Sequence, residues 1–124
     1  MNIHRAREVG DYWPEVKAEL FRAFQMARAA ARAEENFVFV VHHDDLLGRR
    51  GAGNAMVATG LLSAARTAAI EGSRKGWTAN VVAFDDDAEF QLVEGWAERL
   101  AEDSLGVNGE VIRLGSSHLG KALP

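Results

Sequence analysis

Residues 53–83, GNAMVATGLLSAARTAAIEGSRKGWTANVVA, decide how this chain folds, because they predict one long helix followed directly by a buried strand. The first part is rich in small residues and predicts a helix over residues 54–74. Gly76 marks its end, as glycine commonly does just past a helix C-terminus. Residues 77–84, WTANVVAF, predict a buried strand. The stretch therefore predicts a helix that leads into a parallel sheet.

The segments on either side continue the alternation of helices and strands. Apolar residues at three- and four-residue steps predict an amphipathic helix over residues 14–34. Residues 36–41, NFVFVV, and residues 109–115, GEVIRLG, predict two further strands. Residues 85–87, DDD, are expected to cap a third helix with their carboxylates. That helix is defined by apolar residues at helical spacing: Phe90, Val93, Trp96, Ala97 and Leu100.

The order of these elements predicts the fold class. Helix, strand, helix, strand, helix and strand follow one another, and the connections are long enough for right-handed crossovers. A weak additional strand is expected near residues 2–6. We therefore expect a single α/β domain over residues 1–124. It should be a truncated Rossmann-like, three-layer domain with a parallel sheet of three to four strands and helices on both faces.

Composition narrows the classes of function. The chain has 124 residues, a net charge of -4 and basic residues that are scattered along the sequence, which argues against nucleic acid or an anionic membrane as partner. It has no cysteine, so disulfides, thiolate metal sites and a cysteine nucleophile are excluded. The polar start lacks the apolar region of a signal peptide, and no apolar run approaches the roughly 18 residues of a membrane helix. A soluble, cytoplasmic protein is expected.

Four segments resemble the C-terminal half of a short-chain dehydrogenase/reductase, such as a 3-oxoacyl carrier-protein reductase. Residues 16–32, VKAELFRAFQMARAAAR, are similar to a helix of that family, and residues 37–43, FVFVVHH, to the strand that ends at its catalytic serine. Residues 54–84 are similar to its Tyr-x-x-x-Lys helix and the Asn-Val-Val-Ala strand that follows. Residues 106–117, GVNGEVIRLGSS, resemble its closing segment. The resemblance implies a fragment of a Rossmann-like fold.

The family's catalytic residues are replaced in this sequence. The tyrosine that exchanges a proton with the substrate falls on Met56, and the lysine four residues later falls on Gly60. The serine falls on His43, and the asparagine of the preceding helix falls on Glu19. A thioether cannot transfer a proton, and glycine offers neither a charge nor a side-chain donor. We therefore do not expect this chain to transfer hydride on its own. The sequence favours a protein that is not an enzyme.

The family's cofactor site also lacks its counterpart here. Its glycine-rich turn lies between a first strand and a first helix, and only about fifteen residues precede the first predicted helix, too few for one βαβ unit. Residues 51–53, Gly-Ala-Gly, open a helix and could attract an anion, although such a pattern is more often a turn. We therefore expect no cofactor, and NAD(P) in particular is not expected.

The resemblance predicts association with another protein chain. The two helices matched here are those that build the family's four-helix dimer interface, and small residues on the second would allow close helix packing. Phe21, Phe24, Leu61 and Leu62 offer apolar area for such an interface. A buried-type strand left at a sheet edge also invites pairing. The predicted partner is a second copy in a homodimer, or a full-length short-chain dehydrogenase subunit; the alternative is that the apolar residues only face their own sheet.

Polar residues after two neighbouring strands offer a different hypothesis. His43 and Asp44 follow one strand and Asp85 follows the next, where parallel sheets place their ligand sites. These three could bind a divalent metal or act as an acid–base pair, giving a small enzyme or binding protein with a rebuilt site. In the simpler interpretation the aspartates cap helices and the histidines lie in solvated loops. Two further candidates are weaker. Ser116, Ser117 and His118 lie close together near the end of the sequence, and His4 is expected at the surface.

Overall fold

A computed structural model describes residues 1–116 of the chain. Within them the helices and strands follow in the order β1 (Asn2–Arg5), α1 (Trp13–Arg32), β2 (Phe37–His42), α2 (His43–Leu46), α3 (Ala52–Lys75), β3 (Ala79–Phe84), α4 (Phe90–Glu102) and β4 (Val111–Leu114). A short 3₁₀ turn, Ser104–Gly106, follows α4. The predicted long helices and strands are confirmed to within a few residues. The short helix α2 follows β2 directly, in a segment for which the sequence analysis gives neither a helix nor a strand.

The four strands form one parallel sheet in the order β1-β2-β3-β4. The strand expected near residues 2–6 is therefore β1, and it pairs with β2 from Asn2↔Phe37 to Arg5↔Val40. Because all strands run in the same direction, their carboxyl ends meet at one edge of the sheet. The residues that follow β2 and β3 are brought together at that edge.

Helices cover both faces of the sheet, as the unbroken apolar strands predict. Alternate residues of β2 divide between the two layers: Phe37, Phe39 and Val41 pack under α1 and α3, whereas Val38 and Val40 pack under α4. The expected α/β class with three layers is thereby confirmed. Among the described residues, none of the helices is long and apolar enough to cross a membrane.

Glycine allows the start of α3 to lie against the N-terminal segment. A Cβ on Gly53 would lie 2.3 Å from the carbonyl oxygen of Gly10, far inside van der Waals contact. The chain before α1 can therefore run directly along the first turn of α3. This contact brings residues 9–11 to the Gly-Ala-Gly turn at the start of α3.

Candidate functional site

The four positions that correspond to the family's catalytic residues differ in their surroundings. Met56 is exposed on the outer side of α3, and Gly60 lies where α3 meets α1, since a Cβ there would contact Leu20 Cδ2 at 3.4 Å. His43 and Glu19 are both buried. Gly60 therefore serves helix packing, and neither Gly60 nor Met56 can transfer a proton.

Glu19 is the centre of a buried polar network. Its Oε2 accepts a hydrogen bond from the backbone N–H of Arg7 at 3.0 Å, and it lies 2.8 Å from Nε2 of His4. Its Oε1 accepts from the guanidinium of Arg22. Both Glu19 and His4 are 4% exposed. The expectation that His4 lies at the surface is wrong, because the third residue of β1 points inward beneath α1, with its ring perpendicular to that of Phe39.

The network joins three parts of the chain: β1, the segment before α1, and α1 itself. Because the Glu19 carboxylate can only accept hydrogen bonds, the proton of the His4 ring lies on Nε2, and this N–H donates a hydrogen bond to Oε2. Burial lowers the pKa of His4 below its usual 6.5, and this effect outweighs the opposing contribution of Glu19. Arg22 and Arg7 lower that pKa further. His4 is thus held neutral while it ties the edge strand to α1.

This pKa predicts how stability depends on pH. The unfolded chain takes up a proton at histidine below about pH 6.5, while folded His4 resists protonation, so the unfolded state binds more protons there. The contribution of His4 is fully present above pH 6.5 and is lost as the pH falls below it, by at most about 1.4 kcal/mol per pH unit. Urea unfolding of the wild type and of His4→Gln, which keeps a neutral donor, should diverge between pH 7 and pH 5. Equal pH dependence in the two proteins would contradict this assignment.

The N-terminus of α3 is occupied by a carboxylate of the chain itself. Asp11 Oδ1 accepts a hydrogen bond from the backbone N–H of Gly53 at 2.9 Å. Nearby, Asn54 accepts from the N–H of Val9 and donates to the carbonyl oxygen of Arg50. A helix N-terminus favours a negative charge, and Asp11 supplies it. The Gly-Ala-Gly turn therefore binds a carboxylate of its own chain. The place where a phosphate would bind is already occupied by Asp11.

At the carboxyl ends of the strands, the structure brings together a different set of residues from the predicted one. His42, Asp44 and Asp86 each offer a ligand atom, and these atoms lie within 4.8 Å of one another. Of the predicted residues His43, Asp44 and Asp85, only Asp44 belongs to this group; His43 and Asp85 are buried. His42 and Asp86 each lie one position away from the predicted His43 and Asp85. The difference arises because successive side chains along a strand point to opposite faces of the sheet. The sequence contained this signal, since His42 is the last residue of β2 and Asp86 follows β3.

The hydrogen bonds of His42 favour a structural role. Its Nδ1 accepts from the backbone N–H of Asp44 at 3.1 Å and thereby caps α2. The ring proton is then on Nε2, which lies 2.8 Å from Asp86 Oδ1. A metal at Nε2 would need the proton on Nδ1, where the N–H of Asp44 already points. The arrangement fits a helix cap better than a metal ligand.

The remaining polar residues of this edge stabilise loops. Asp85 Oδ1 accepts from the backbone N–H of Asp87, and Asp87 in turn holds Ser116 through its backbone N–H and its hydroxyl group. The N-cap of α4 is Glu89, without a side-chain cap. The prediction that residues 85–87 cap α4 is therefore wrong. Ser117 and His118 lie outside the described residues.

The four predicted interface residues separate into two groups. Phe21 is 58% exposed and Phe24 is 56% exposed on α1, and their rings stack with centroids 6.4 Å apart. Leu61 is 3% exposed and belongs to the core beneath α3, where Leu62 is packed at its margin. Leu61 cannot offer its side chain to a partner, so its assignment to an interface is corrected. The helical period alone does not show which side of a small-residue helix faces the sheet.

The class defined by this architecture is an α/β domain with the fold of short-chain dehydrogenases. A short chain dehydrogenase from Mycobacterium smegmatis matches with a TM-score of 0.68 at 22% identity, over 93% of this chain and 57% of that one. A 3-hydroxyacyl-CoA dehydrogenase type-2 from Mycobacterium avium matches with a TM-score of 0.61 at 14% identity, over 94% and 60%. A putative 3-oxoacyl-reductase from Bacillus thuringiensis matches with a TM-score of 0.53 at 20% identity, over 87% and 58%.

These likenesses confirm, at the level of the fold, the resemblance inferred from the sequence. The chain spans somewhat less than two thirds of the length of each of these structures. No protein-family model matches the sequence, and neither does any curated protein. What the chain does is therefore argued from its own residues.

Proposed function

We propose that this chain acts by associating with another protein chain and does not itself transfer hydride. The observation that carries the proposal is the stacked, exposed pair Phe21 and Phe24, which the chain's own core does not use. Met56 and Gly60 support the second half of the proposal, since they stand where the family has its tyrosine and lysine. Neither NAD(P) nor another cofactor is needed for this role.

The association surface lies on the outer side of the two long helices. We call it the α1–α3 surface and define it by exposed residues of both helices: Lys17, Phe21, Phe24, Arg28, Arg32, Met56 and Ile70. Helix α3 also exposes small residues such as Ser63 and Thr67. Small exposed side chains allow a partner helix to pack closely. Aromatic residues and arginine are enriched in protein interfaces, and this surface has both.

The partner can be a second copy of the chain or a complete short-chain dehydrogenase subunit. In the first case the chain forms a homodimer; in the second it supports a subunit that carries cofactor and catalysis. Each version uses the α1–α3 surface. The native mass of the protein purified alone separates them, because only the first gives an oligomer without an added protein.

A charge placed in the aromatic pair should abolish association while the fold is retained. Phe24 is exposed, so Phe24→Glu should leave the free energy of unfolding within about 0.5 kcal/mol of wild type. Native mass by sedimentation should fall to that of the monomer, whereas Phe24→Leu, which keeps the apolar contact, should associate as wild type does. An unchanged mass for an oligomeric protein carrying Phe24→Glu would show that the surface is misassigned. Addition of NADPH should leave the melting temperature unchanged.

The alternative, a rebuilt ligand or metal site at the carboxyl ends of the strands, has less support. Its one favourable observation is the proximity of His42, Asp44 and Asp86. Both ring nitrogens of His42 lie at hydrogen-bond distance from protein partners, and Asp44 also pairs with Arg49 at 3.4 Å. The exposed phenylalanine pair has no such internal explanation, so association is the better-supported function.

A further inference from the structure

The charges of this chain are separated between the two faces of its sheet. Helices α1 and α3, on one face, carry seven basic and three acidic residues. Residues 85–103, which include α4 on the other face, carry eight acidic residues and one basic residue. A net charge of -4 for the whole chain conceals this asymmetry. Two oppositely charged layers on opposite sides of one domain can attract each other between copies.

On the α1–α3 surface, the positive charges lie beside the aromatic pair. The exposed positions of α1 between residues 16 and 33 include Lys17, Arg28 and Arg32, and no carboxylate. Phe21, Phe24, Arg28 and Arg32 line a groove of about 260 Å³. An antiparallel pairing of α1 with α1 of a second copy, centred on the phenylalanines, would set Lys17 against Arg28. The charges thus oppose a symmetric pairing and favour an acidic partner.

On the other face, α4 carries a notch with acidic residues beside it. The notch has a volume of about 250 Å³ and is lined by Leu92, Gly95 and Trp96, together with Gln91 and Arg99. Gly95 leaves this place open: apart from its chain neighbours and the helix's own backbone, nothing lies within 4 Å of where a Cβ would be. Further along the helix, Glu98 and Glu102 are exposed. We call these residues, Leu92, Gly95, Trp96, Glu98 and Glu102, the α4 surface.

We propose that the α1–α3 surface of one copy docks onto the α4 surface of a second copy. The aromatic pair of one chain enters the notch at Gly95 of the next, and Arg28 and Arg32 pair with Glu98 and Glu102. Shape and charge support the same occupant independently, because a projecting apolar pair meets an apolar notch, and two arginines meet two exposed glutamates that outnumber Arg99 on this side of α4. This inference rests on the proposed function, and it names the partner surface.

Such a contact is heterologous, since each copy uses two different surfaces. In a docked pair, one copy keeps a free α1–α3 surface and the other keeps a free α4 surface. The contact can therefore repeat to give rings or chains of copies. Association should therefore extend beyond the dimer as concentration rises. It should also weaken with added salt, because exposed charges are screened.

The sharpest experiment mixes two variants, each with one surface blocked. Arg28→Glu with Arg32→Glu reverses the charge of the α1–α3 surface at exposed positions. Gly95→Leu fills the notch; open space surrounds Gly95 and leucine favours a helix more than glycine does, so the fold should be stabilised. Each variant alone should be monomeric by sedimentation. Their mixture should form a 1:1 heterodimer and nothing larger, because each variant still has one intact surface.

Other outcomes overturn the inference in distinguishable ways. If Gly95→Leu alone associates as wild type does, while Phe24→Glu is monomeric, the α1–α3 surface pairs with itself and only the partner assignment fails. If the wild type is monomeric at all concentrations up to the millimolar range, copies do not dock. In that case the proposed association with a different protein still stands. If Phe24→Glu leaves association unchanged, the proposed function fails together with the inference.

Discussion

Replacing Leu61 by glutamate should unfold the protein at 25 °C, although Phe24→Glu on the neighbouring helix should be tolerated. Leu61 is 3% exposed and packs in the core between α3 and the sheet. A carboxylate placed there would be cut off from water without a partner, at a cost of several kcal/mol. Small domains are stable by only about 5–15 kcal/mol in total, so the folded state should be lost or nearly lost.

Far-ultraviolet circular dichroism and urea unfolding would test this expectation. Leu61→Ala provides the graded comparison, because removal of a buried leucine side chain costs about 2–5 kcal/mol. If Leu61→Glu is folded but monomeric, Leu61 lies at an interface after all and the burial of α3 has been misassigned. The contrast with Phe24→Glu thus separates core residues from association residues on two adjacent helices.

The second large effect is expected at Glu19. Glu19→Leu keeps roughly the volume of the side chain but removes the acceptor of His4, the Arg7 N–H and Arg22. The His4 N–H would be left buried without a partner and the Arg7 N–H would be left partly buried without one, whereas Arg22 is partly exposed and can turn toward water. We expect a loss of about 3 kcal/mol in the free energy of unfolding.

A double variant tests whether the network is the cause. When both members of a buried pair become apolar, the cost is smaller than when one is removed. His4→Leu combined with Glu19→Leu should therefore be more stable than Glu19→Leu alone. Hydrogen exchange should also show which element loosens, with the amides of β1 losing protection first, because His4 ties that edge strand to α1. Additive effects of the two substitutions would contradict a shared network.

Periodicity predicted the elements of the fold well where they are long or deeply buried. Twenty-residue α1 and the six-residue strands β2 and β3 carry strong apolar patterns. The helix α2 was missed because four residues, HDDL, are too few for a helical pattern, and its cap depends on the side chain of His42. Local sequence could not show that cap, since Asp86, two residues after β3, fixes the ring from its other side.

The candidate site was less predictable from sequence. The likeness to short-chain dehydrogenases placed four residues at catalytic positions: Glu19, His43, Met56 and Gly60. It did not reveal that Glu19 is hydrogen-bonded to His4, fifteen residues away. The Gly-Ala-Gly turn could be recognised as the start of a helix. That it binds Asp11 depends on how the segment before α1 runs, and this follows from the close approach of Gly10 to Gly53.

The sequence by itself determined the order of helices and strands, the parallel sheet and the residue types at positions 56 and 60, because these depend on residue types and on spacing along the chain. Only the tertiary structure decided which side of each helix is left outside. It buried Leu61, exposed Phe21 and Phe24, and set a basic layer opposite an acidic one. The physical reason is that orientation about a helix axis is settled by packing against the sheet, which a pattern of small residues leaves open.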